Sequence, residues 1–137
     1  MAQMFGPIVS GSSALTYSTT ATAAGTTTLT VGSNQQQYFT GSTTQTVVLP
    51  VTSTLVLGQQ FTIVNLSSGV VTVQSSGANT IQAMASNSEL VVTCISLSGT
   101  GTSSWSWIYL PVASGLPSTN PMTTAGDMIY GGGGGTP

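Results

Sequence analysis

The sequence predicts an all-β fold, an antiparallel β-sandwich-like domain, on three observations. Val, Ile, Thr and aromatic residues, which suit pleated strands, fill the middle of the chain, and Lys- or Glu-rich helical stretches are missing. Several short runs alternate apolar and polar residues with a period of two. Gly, Asn and Ser clusters punctuate these runs at roughly eight to twelve residues, the turn spacing of sandwiches and barrels.

In chain order, residues 1–13 mix Gly6, Pro7 and Gly11 with small polar residues and read as an extended arm. A β domain is expected over 14–112, with strands at 14–20, 26–31, 36–40, 45–49, 54–57, 60–65, 70–74, 79–83, 88–95 and 104–110. In 60–65, Phe61, Ile63 and Asn65 share one face, and Gln60, Thr62 and Val64 the other. Val71 and Val73 oppose Thr72 and Gln74 in the same way. Asn65 to Gly69 and Ser75 to Asn79 are expected hairpin turns, with Gly69 free to take a positive φ. Pro50 and Gly58 mark bends. Beyond Tyr109, prolines 111, 117 and 121 break any ladder, so 113–137 reads as a linker or the beginning of another element.

Charge excludes more functions than any motif supports. The chain has no Lys, Arg or His, and its only carboxylates are Glu89 and Asp127; an ordinary domain is about a quarter charged. Nucleic-acid binding would lack its main electrostatic term. A serine nucleophile would lack a base, and a thiolate a cation to stabilise it. Trypsin has no side chain to cut after. Ser and Thr make up roughly a third of the residues, well above ordinary usage. A net charge of −2 gives little mutual repulsion, which favours a subunit of an assembly.

The reading assigns no catalytic, cofactor-binding or metal residue. Cys94, in the apolar run 90–95, is expected to be a buried small hydrophobe. Glu89, following Asn87-Ser88 at a strand start, reads as a turn or rim residue and Asp127 as a turn former; copies of either could meet on a symmetry axis and hold Ca²⁺. The glycines at 131–135 precede no helix and make a poor phosphate loop. Trp105, Trp107 and Tyr109 share one strand face. That stripe is expected to be core or a subunit seam, with a sugar-stacking site as the rival. The start MAQMFGPIVS has no basic region and no long apolar run, so no signal peptide is expected, and no stretch is long enough for membrane insertion.

Two longer segments carry a resemblance. Thr46-Val47-Val48-Leu49-Pro50, Gly58-Gln59-Gln60-Phe61-Thr62-Ile63-Val64-Asn65 and Ser68-Gly69-Val70-Val71-Thr72-Val73, closing on Trp105-Ser106-Trp107, resemble a module of tailed-bacteriophage tail-fibre proteins. Asn120-Pro121-Met122 through Gly126-Asp127-Met128-Ile129-Tyr130-Gly131-Gly132 resembles an element that opens a further fibre segment. The resemblance implies a virion structural protein without enzymatic activity, usually a homotrimer, made in the host cytoplasm. Its N-terminal region would dock on other tail or capsid proteins, and a distal region would contact a host surface glycan. With a start methionine at residue 1 and attachment commonly N-terminal in such proteins, the chain is expected at the virion-proximal end of a fibre. Rival readings are a head fibre or capsid decoration protein, a carbohydrate-binding adhesin module, and a Thr-rich ice-binding protein, although Thr26-Thr27-Thr28 does not recur at a fixed period.

Overall fold

Nine strands form two sheets in the computed structural model, which describes residues 16–111. The strands are β1 (Tyr17–Ala21), β2 (Thr26–Thr28), β3 (Gln36–Thr40), β4 (Gln45–Val48), β5 (Gln60–Asn65), β6 (Val71–Gln74), β7 (Thr80–Met84), β8 (Ser88–Cys94) and β9 (Trp105–Pro111). The expected arm, the linker at 113–137, Asp127 and the glycine run lie outside the described residues. An all-β fold is what the sequence predicts, and most elements fall where the period-two runs place them.

The antiparallel expectation needs correction. For six strands the chain alternates between the sheets, so β1, β3 and β5 lie side by side and parallel, as do β2, β4 and β6. Each strand pair is one turn of a flattened coil. Only the last part is antiparallel: β7 returns along β6, β8 pairs with β5, and β9 pairs with β8. The five-stranded sheet therefore runs β1-β3-β5-β8-β9 and the four-stranded sheet β2-β4-β6-β7.

The cause lies in the corners. The segment after β5 is no hairpin. Asn65 is fully buried, and its Oδ1 accepts the Ser67 N–H at 2.9 Å and the Ser67 hydroxyl at 2.6 Å. Its Nδ2 donates to the carbonyls of Gly69, Met84 and Ala85 at 2.8, 3.1 and 3.0 Å. One amide thus turns the chain out of one sheet and ties the corner to the β7–β8 connection. Gly69 does not have the positive φ expected of it. It is glycine because a Cβ there would overlap the Thr43 carbonyl of the preceding coil. The segment Ser75 to Asn79, by contrast, makes a true hairpin, closed by Ser75 N–H to the Asn79 carbonyl at 2.9 Å.

Two more buried amides join the first and second coils. Gln45 Oε1 accepts the N–H groups of Ala23 (2.9 Å) and Gly25 (3.3 Å), and its Nε2 donates to Thr27 Oγ1 at 3.0 Å. Gln37 Oε1 accepts the Ser18 hydroxyl at 2.8 Å, while its Nε2 donates to the Asn34 carbonyl at 2.7 Å. Buried amides without such partners would each cost about 1–3 kcal/mol.

The strand expected at 54–57 is also absent. A 3-10 turn covers Thr52–Thr54, Leu55 drops into the core, and Val56 and Leu57 face outward before Gly58. An apolar run of three, Leu55 to Leu57, can be an anchor with exposed neighbours as readily as a strand.

The inner faces of the two sheets share one core. Phe39, Phe61, Ile63, Leu90 and Val92 come from the larger sheet, and Val47, Val71, Val73, Ile81 and Met84 from the smaller. Each such side chain contributes about 1.5–3 kcal/mol on burial, so the core outweighs any single hydrogen bond above.

Candidate functional site

Strand alternation puts one row of residues in the core and the next row outside, and the outer faces of the two sheets differ. The smaller sheet presents Thr26, Thr46 and Thr72 in one register row, with Thr28, Val48 and Gln74 in the next. It is a face of hydroxyls and an amide with one valine. The larger sheet presents aliphatic side chains at its β8–β9 end.

Register fixes that end. Thr62, Val91 and Ile108 form one row across β5, β8 and β9, and Val64, Glu89 and Leu110 form the next. Side chains directly opposite in antiparallel strands have Cβ atoms about 4.5–5.5 Å apart, so Val64, Val91, Ile108 and Leu110 surround Glu89. Ile108 is 62% and Leu110 51% exposed. β9 is moreover the edge strand of its sheet, seven residues long, without a Lys or Glu to block pairing. Val64 and Val91, beside Ile108 and Leu110, are half-buried.

The residues singled out in the sequence fall in different places. Glu89 lies in a strand, half-buried at the centre of the apolar patch. Cys94 is fully buried in the core, opposite Trp105 in the β8–β9 register, and its thiol reaches the Ser96 carbonyl at 3.5 Å. Among the described residues, no three His, Cys, Asp or Glu side chains gather where a metal could bind. Trp105 is 3% exposed and belongs to the core. Tyr109 packs on that core, and its hydroxyl accepts the Ala85 N–H at 2.8 Å. Trp107 lies between them with 37% exposure. The aromatic stripe is therefore anchored inward, with one partly open ring, and does not form a flat stacking platform. The aliphatic patch was missed because Val91, Ile108 and Leu110 sit in runs apolar on both faces, where alternation does not tell inside from outside. Among the described residues no helix is long and apolar enough to cross a membrane.

No family model, curated protein or solved structure matches this chain.

Proposed function

We propose that the chain is a structural, non-enzymatic module of a virion, the tail fibre or fibre base of a tailed bacteriophage, in which three copies associate through the β8–β9 face. The observation that carries the reading is the Val64–Val91–Ile108–Leu110 patch on a chain without a single cation. Covering that patch removes aliphatic surface from water at about 25 cal/mol per Å². A closed assembly also covers the β9 edge, which among the described residues pairs only with β8. The neutral, hydroxyl-rich opposite face suits a surface that stays in solvent. The sequence resemblance supplies the virion setting, with residues before β1 docking on tail or capsid protein and host contact lying in a distal region.

Within this reading the two sheets act as a sandwich-like block whose role is mechanical. The test is the copy number and position of the chain in purified particles. Three copies per fibre at the tail support the proposal. A position on the capsid would favour the head-fibre or decoration alternative, and absence from the particle would overturn both.

A further inference from the structure

The β1–β3 end of the larger sheet has a chemistry of its own. Tyr17, Thr19, Gln36, Tyr38, Thr40 and Leu66 line an open recess of ≈270 Å³. The rings of Tyr17 and Tyr38 meet edge to face, with centroids 5.8 Å apart and planes at 89°. Tyr17 is nonetheless 64% exposed, so much of its ring is free for a further contact. The Tyr38 hydroxyl donates to Gln36 Oε1 at 3.0 Å. That bond holds the amide in place and leaves Gln36 Nε2 as a donor without a partner among the described residues. The hydroxyls of Thr19 and Thr40 are likewise unengaged among the described residues.

We infer that this recess binds one ring of a neutral sugar. An aromatic face takes the C–H side of a pyranose, while a fixed amide donor and two hydroxyls, each able to donate and accept, match its hydroxyl groups. Charge points the same way. An anion would find no cationic side chain anywhere in the chain. Among the described residues a cation would find only Glu89, which lies two strands from Tyr38, about 10 Å at normal strand spacing. The volume falls below the roughly 300–1,000 Å³ of drug-sized sites, which suits a single ring. The site shares no residue with the Trp105–Trp107–Tyr109 stripe, and it adjoins the aliphatic patch, since Tyr38 is the register partner of Val64 on the same sheet face. The inference does not rest on the fibre reading, and its test needs only the chain itself.

The experiment is an NMR titration of the ¹⁵N-labelled full chain with D-glucose, D-galactose and N-acetyl-D-glucosamine, with light scattering on the same samples. At least one sugar should give saturable shifts at the amides of the recess residues, with Kd on the order of 1 mM, as few contacts allow. Tyr17→Ala should weaken that binding about tenfold or more and Gln36→Ala about threefold, the assembly state staying unchanged. If Tyr17→Ala fails to fold, Gln36→Ala and Thr19→Val decide. The inference is overturned by absent saturation up to about 100 mM sugar, by shifts mapping elsewhere, or by variants that bind as well as the parent. Dissociation of an assembly by Tyr17→Ala would also overturn it, since the recess would then be a contact between copies.

Discussion

Gly69 lies against the carbonyl of Thr43, so close that no side chain fits between the third coil and the second. Gly69→Ala should cost about 1–3 kcal/mol through forced backbone movement. Gly58 is the contrast: it has φ +89° and nothing within 4 Å of a would-be Cβ. Gly58→Ala should cost about 1–2 kcal/mol from conformation alone, and Gly58→Asn, which tolerates that region, less. Urea unfolding of the three variants checks this. Equal loss in Gly58→Ala and Gly58→Asn would show that space, not φ, governs that site.

Asn65 holds the corner above Gly69 through five hydrogen bonds. Asn65→Leu, of similar volume, should destabilise by about 2–4 kcal/mol, because buried carbonyls and the Ser67 N–H lose their partner. A denaturation midpoint close to the parent's would show that the corner is fixed by packing alone.

Trp105 and Trp107 should separate sharply on truncation. Trp105→Ala empties a core position and should cost about 3–5 kcal/mol. Trp107→Ala removes a ring already 37% exposed and should cost about 1–2 kcal/mol. Thermal melts followed by near-ultraviolet circular dichroism give both values. Equal costs would contradict the inward anchoring of the stripe at Trp105.

The period-two runs made the strands legible, and the face shared by Phe61, Ile63 and Asn65 is the buried one. The winding was not legible, for two reasons. The register Tyr17–Gln36–Thr62 spans unequal coils, because the second accommodates the Thr52–Thr54 turn and the Leu55 anchor, so no fixed repeat shows in the sequence. Corner and hairpin also use the same residue types: Asn65 to Gly69 and Ser75 to Asn79 look alike until the Asn65 side chain is seen to bond inward. Of the sites, Cys94 was expected in the core and Trp105 in the core or a subunit seam, and both are buried in the core. Glu89, read as a turn or rim residue, lies in a strand inside an aliphatic patch.

Association through that patch should not be weakened by screening, since it contains one carboxylate per copy and no cation, so salt only relieves like-charge repulsion. Raising NaCl from about 0.05 to 1 M should not dissociate the assembly, and sulfate should strengthen it. Sedimentation velocity across the series checks this, and dissociation by NaCl would mean that an ionic contact holds the copies together.

The most direct test of association through the β8–β9 face is the solution mass of the full chain at micromolar concentration, measured by light scattering beside Ile108→Lys. The account predicts a trimer for the parent and a folded monomer near 13.7 kDa for Ile108→Lys. A parent that is itself a folded monomer, or a trimer that Ile108→Lys leaves intact, would contradict it.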